Sequence, residues 1–88
     1  MKTTLTFYTD PGHGWLHVQM EDIKTLGIEG DISKYSYRKD DDVYLEEDCD
    51  APKFIKALRA RTVDFIVTEE NLNDDCFIRS LQHYRSTK

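Results

Sequence analysis

One stretch constrains this chain more than any other: Val43–Leu58, VYLEEDCDAPKFIKAL, which reads as a strand, a cap and a helix in sixteen residues. Val43 and Leu45 stand two apart with Tyr44 and Glu46 alternating, which suits a strand with one buried face. The acids Glu46, Glu47, Asp48 and Asp50 then interrupt the alternation. Asp50 precedes Ala51 and Pro52, so its carboxylate is expected to accept hydrogen bonds from N–H groups of a helix's first turn. Pro52 loses little there, because its missing N–H would have had no intrahelical partner. Ala51, Phe54, Ile55 and Leu58 fall at i, i+3, i+4 and i+7, one apolar stripe, while Lys53, Lys56, Arg59 and Arg61 fill the remaining arc. A helix patterned this way lies on a sheet and shows a cationic outer face.

Other segments supply that sheet. Thr3 to Tyr8 reads as a strand with Leu5 and Phe7 on one face. Asp10-Pro11-Gly12-His13-Gly14 is a turn in which proline fixes φ and two glycines allow positive φ. Trp15 to Met20 returns as a second strand, with Leu16, Val18 and Met20 opposite in facing to Trp15, His17 and Gln19, so the pair is a hairpin. Glu21 to Leu26 is a short helix that Gly27 can end, with Ile28 and Ile32 packing beneath it. Tyr35 to Arg38 is a third strand, joined to the Val43 strand through Lys39-Asp40-Asp41-Asp42 as a second hairpin. Thr62 to Thr68 is a strong strand; its apolar Ile66 suggests cover on both faces. Val43 to Thr68 would then be a right-handed crossover, pairing its two strands in parallel if both lie in one sheet. Glu69 to Asp75 reads as a polar loop. Phe77, Leu81 and Tyr84 are spaced like one side of a helix, yet an extended arm fits equally.

The fold expected is α+β: one domain over residues 1–88, a small sheet of about five strands from two hairpins and a strand–helix–strand unit, and one main helix on one face. Residues 76–88 are expected to be a mobile or partner-docking tail, through which two copies could pair. No apolar run approaches the roughly 20 residues of a membrane span, and the first residues, MKTTLTFYTD, hold no hydrophobic signal core, so a soluble, cytoplasmic protein is expected. Cys49 and Cys76 are not closely spaced and are expected to be free thiols.

The net charge of −5 argues against a general nucleic-acid binder, since phosphate attraction supplies most non-specific affinity. Charge is segregated, however. Asp40 to Asp50 holds seven acids and no base; Ile78 to Lys88 holds Arg79, Arg85 and Lys88 and no acid. The acids either solvate a turn or form a surface that imitates a phosphate backbone and occupies a nucleic-acid-binding protein.

Candidate chemistry centres on a few residues. His13 lies between two glycines, near Asp10, and a histidine beside a carboxylate can move protons near neutral pH. No serine or cysteine nucleophile stands next to it, so turn chemistry is the stronger reading. A metal site assembled from His13, His17, Cys49, Asp48, Asp50 and Cys76 lacks the paired spacing of structural zinc, and no metal or cofactor is expected. Tyr8, Trp15, Tyr35, Tyr37 and Tyr44 could stack on bases or form a protein interface. Trp15 is an anchor if its face is open and core if a helix or the tail covers it.

The segments FYTDPGHGWL, YSY with VYLEEDCDA, and FIRSL with Tyr84 together resemble a family of short, uncharacterised bacterial, phage and plasmid proteins. The resemblance implies an accessory protein of a mobile element and carries no catalytic residues to transfer. Combined with the residues themselves, it gives a non-enzymatic, partner-binding accessory protein. Its contact residues would be Tyr8, Asp10, His13, Trp15, Tyr35, Tyr37, Glu46, Glu47 and Asp48, and its partner an unidentified protein, one candidate being a nucleic-acid-binding protein. The alternatives are a small metal- or histidine-dependent enzyme centred on His13, Asp10 and Asp48, and nucleic-acid binding through Lys53, Lys56, Arg59 and the basic tail.

Overall fold

The alternation read from the first residues builds β1 (Lys2–Thr9), and β2 (Gly14–Gln19) returns antiparallel beside it, with Phe7 opposite Leu16 and Tyr8 opposite Trp15. The computed structural model describes residues 2–72 and 77–85, apart from the side chains of Lys2 and Arg79. Helix α1 (Met20–Leu26) follows β2 directly, and Gly27 ends it at φ 73°, a left-handed backbone that glycine adopts without a Cβ penalty. A 3-10 turn at Glu29–Asp31 leads to a second antiparallel hairpin of β3 (Tyr37–Lys39) and β4 (Asp42–Glu46). Helix α2 (Ala51–Ala60), strand β5 (Asp64–Asn71), a 3-10 turn at Phe77–Ser80 and the short strand β6 (Gln82–His83) complete the order.

All strands join one mixed sheet in the order β5-β1-β2-β4-β3-β6, in which only β1 and β5 pair in parallel. The α+β class therefore holds, with six strands rather than about five. The crossover from β4 through α2 to β5 joins strands of one sheet, but β5 does not pair with β4 as expected. Strand β4 has no free edge, since β2 and β3 flank it, whereas β1 offers one. That ladder also carries β5 beyond its expected end: Glu69, Glu70 and Asn71 lie opposite Phe7, Tyr8 and Thr9 rather than in a loop. Ile66 is not covered on both faces; it is 44% exposed.

Both faces of the sheet are covered over its centre. On one, Leu5, Leu16, Val18, Val43 and Leu45 pack with Met20 and Ile23 from α1 and with Ala51, Phe54 and Leu58 from α2. The apolar stripe of α2 thus faces the sheet as its spacing requires, while Lys53, Lys56, Arg59 and Arg61 face outward. On the other, Trp15 and Tyr44 pack with Ile78, which is fully buried. The described part of the C-terminal segment is thereby a component of the fold rather than a tail awaiting a partner. Strand β6 pairs with β3, and the buried Tyr84 donates its hydroxyl to the Glu29 carbonyl at 2.7 Å. Burial, with Glu29 nearby, pushes the Tyr84 phenol up from its ordinary pKa. Cys76 and residues 86–88 lie outside the described residues, as do 73–75.

The Asp50 carboxylate differs from its expected use. Asp50 occupies the N-cap position but makes no side-chain cap hydrogen bond, and its backbone is already helical. Its buried oxygens accept instead from the Ser33 N–H at 3.0 Å, the Ser33 hydroxyl at 2.7 Å and the Ser36 hydroxyl, with Lys53 Nζ at 3.4 Å. Burial alone would raise its pKa, but the hydrogen bonds from Ser36 and Ser33 and the Lys53 ammonium outweigh it and hold the carboxyl below its ordinary value. A folded-state pKa below the unfolded one gives stability that is whole above about pH 4 and lost as pH falls through the folded value. Asp50→Asn is expected to lower unfolding free energy by about 2–3 kcal/mol at pH 7, the worth of charge-assisted hydrogen bonds. Urea unfolding across pH should show that difference shrinking below about pH 4; a difference constant with pH would contradict this role.

Candidate functional site

At the end of the sheet where β2 begins and β4 ends, two turns and one hairpin face each other around a cavity of about 340 Å³ lined by His13, Trp15, Tyr35, Tyr37, Glu46, Asp48, Cys49 and His83. One wall comes from the turn before β2. Asp10 Oδ1 accepts the N–H groups of Gly12 and His13, each at 2.9 Å, and the Asp10 N–H reaches the His13 carbonyl at 2.9 Å. Gly14 is small for a reason other than positive φ: a Cβ there would stand 2.6 Å from the tip of the Phe7 ring. The braced turn stacks the His13 imidazole on the Trp15 indole, with centroids 5.9 Å apart and planes at 26°.

The facing wall is aromatic too. His83 Nδ1 donates to the Lys34 carbonyl at 2.7 Å, and its ring stacks on Tyr37 at 4.9 Å and 27°. Tyr37 in turn meets Trp15 edge-on at 6.3 Å. Tyr35 is 61% exposed at the mouth, on a turn whose N–H bonds the Ser33 hydroxyl at 3.2 Å. Strand β3 starts at Tyr37 rather than Tyr35 because the intervening Ser36 is drawn inward to Asp50.

The acidic loop after β4 makes the third side. Glu46 Oε1 accepts the N–H groups of Asp48 at 2.8 Å and Cys49 at 2.7 Å, so its charge is fixed in place. Cys49 is an exposed free thiol whose pKa is pushed up by desolvation and then by the nearby carboxylate of Glu46, with Asp50 and Asp48 adding to it. The thiolate is disfavoured at neutral pH by these neighbours.

Of the nine contact residues expected from sequence, the fold gathers six in this cavity: His13, Trp15, Tyr35, Tyr37, Glu46 and Asp48. Tyr8 lies elsewhere on the same face of the sheet, edge-on to Phe77 at 5.6 Å and beside Tyr44. Asp10 serves its own turn, and Glu47 lines a groove between α2 and β1 with Phe7 and Leu16. Trp15 is core rather than an exposed anchor, only 3% exposed, because the C-terminal segment covers its face. His83 is not readable as a site residue, since a two-residue strand carries no periodicity, and the sequence presents Cys49 as a free thiol or a metal ligand rather than as part of a binding surface.

The seven acids do not form one array. Asp50 is buried, and Asp40 to Asp42 sit at the end of β4 opposite to Glu46–Asp48. Asp42 Oδ1 meets His17 Nε2 at 2.8 Å and accepts from Gln19 at 2.9 Å; these bonds, His17's first, hold its carboxyl below its ordinary pKa. Likewise α2, with its cationic side turned outward, and the Phe77–Ser80 turn lie on opposite faces of the sheet. Among the described residues, no three His, Cys, Asp or Glu side chains converge as a metal site, and no helix is long and apolar enough to cross a membrane.

Comparisons with family models, with curated proteins and with solved structures find no match. The cavity's closure can be read optically, since Trp15 is the sole tryptophan. Ile78→Ser should shift its fluorescence emission to longer wavelength while far-UV circular dichroism stays unchanged. Unshifted emission with a folded spectrum would show that Ile78 does not shield the indole.

Proposed function

We propose that this protein is a non-enzymatic, partner-binding accessory protein that grips a cationic side chain, arginine or lysine, of a protein partner in the aromatic cavity. The observation that carries this reading is the grouping of aromatic rings with two carboxylates, one of which, Glu46, is held by backbone N–H groups. Tyr35, Tyr37, His13 and His83 surround a cavity of about 340 Å³ whose remaining side holds Glu46 and Asp48. Its size lies at the small end of ligand sites, enough for one side chain rather than a cofactor. A guanidinium over a ring face gains about 0.5–2 kcal/mol, more as water is excluded, and adjacent carboxylates add charge-assisted hydrogen bonds. The net charge of −5 favours encounter with a basic partner. A nucleic-acid-binding protein offers such side chains, and a mobile-element setting is what the resemblance of FYTDPGHGWL and YLEEDCDA implies. The raised Cys49 pKa and the use of Asp10 within its own turn support binding over nucleophilic or acid–base chemistry.

An NMR titration with a short arginine-rich peptide tests it, with the citrulline version as a neutral isostere. Saturable amide shifts are expected at residues 13, 35, 37, 46–49 and 83 with arginine and not with citrulline. Tyr35→Ala should weaken the arginine response about fivefold, near 1 kcal/mol. Equal responses to both peptides, or none at either, would refute a cation site.

A further inference from the structure

The two edges of the sheet are built differently. One edge ends in the two-residue β6, the kind of very short edge that offers little for other chains to pair with. The other edge is β5, eight residues long, with β1 its only strand neighbour among the described residues. It carries no proline and no lysine along DFIVTEEN, and two of the exposed large apolar side chains, Ile66 and Val67, project from its opposite faces at 44% and 43% exposure. On the helix side, Val67 continues into a groove of about 410 Å³ whose floor of Phe7, Leu16, Ala51, Pro52 and Ile55 is flanked by Glu47, Lys56 and Arg59. A long, open edge with an apolar centre at Phe65 to Val67, beside a groove, is a template for another strand.

We infer that β5 is the docking edge for a second copy of this chain, joined antiparallel about a two-fold axis at Ile66. The sequence of β5 selects both the occupant and the register. Centred on Ile66, the pairing sets Ile66 against Ile66, Phe65 against Val67 in both directions, and Asp64 against Thr68. It carries the acidic end, Glu69 and Glu70, of each strand toward the α2–β5 junction of the other copy, where Arg59 and Arg61 stand exposed. Each copy thus offers an acidic end and a basic end to the same two ends reversed, the self-complementarity of an isologous contact. Moving the centre to Val67 would oppose Asp64 to Glu70 and Phe65 to Glu69, which like charge and desolvation disfavour. Moving it to Phe65 leaves only Asp64 to Ile66 of the strand in register, against Asp64 to Thr68 when it is centred on Ile66. The joined edges would form one continuous sheet of two copies and cover Ile66, Val67 and part of the groove.

Sedimentation equilibrium of the full chain over a concentration series tests this. A reversible dimer is expected, and Ile66→Lys, which changes an exposed side chain, should weaken it at least about tenfold with unchanged circular dichroism and melting temperature. Phe77→Ala, an equally exposed apolar side chain that packs on Tyr8 and Tyr44 and is no part of the β5 strand, should dimerise like the parent. A monomer up to about 1 mM, a dimer indifferent to Ile66→Lys, or a dimer broken by Phe77→Ala would overturn the assignment.

Discussion

A single buried carboxylate connects the architecture of this protein to its candidate site. Asp50 begins α2, yet its oxygens bind two serines of the segment between the 3-10 turn at Glu29–Asp31 and β3. An anion with no exposure is costly unless hydrogen bonds replace its water, and here hydroxyl, amide and ammonium donors do so. The consequences spread from Ser36. Its hydroxyl donates to Asp50 and its oxygen accepts the Glu46 N–H at 2.9 Å, so the start of α2, the approach to β3 and the end of β4 share one node. Tyr35 and Tyr37 flank Ser36 in sequence, and Glu46 fixes Asp48 and Cys49. Most of the cavity wall is therefore positioned by the same bonds that anchor the main helix.

The second constraint is size. A chain of 88 residues has little interior to spend, and this one buries both faces of its sheet with unlike materials. Aliphatic side chains and Phe54 fill the helix side; Trp15, Tyr44 and Ile78 fill the other. The aromatic side ends at the cavity, where rings emerge from the core by degrees, from Trp15 through Tyr37 to the exposed Tyr35. Rings packed against one another lose little further freedom when a ligand arrives, which is the advantage of a preorganised site.

Much of this was legible in the sequence. The stripe at Ala51, Phe54, Ile55 and Leu58, the alternation along β1 and β2, and Gly27 as a helix stop each reflect a local rule that tertiary structure obeyed. The misreadings occurred where a distant partner decided the outcome. Asp50 has the local chemistry of a cap, and two serines fourteen and seventeen residues away captured it. Glu69–Asn71 has the composition of a loop, but β1 supplied a ladder for it. Gly14 was assigned a conformational role that the Phe7 ring replaced with a steric one. The cavity itself was readable as a set of residue types, not as a place: the parts from β2, the β3 approach and the β4 loop are joined only by strand order, and His83 only by a two-residue pairing.

Amide hydrogen exchange in Asp50→Ala is the most direct measure of whether this carboxylate organises the site. Ser33, Tyr35 and Glu46, whose N–H groups bond Asp50 or a serine hydroxyl beside it, should lose far more protection than the Leu58 amide, two turns further along α2. If those three amides lose only what Leu58 loses, the variant has merely lowered global stability, and the cavity owes its shape to something other than the Asp50 node.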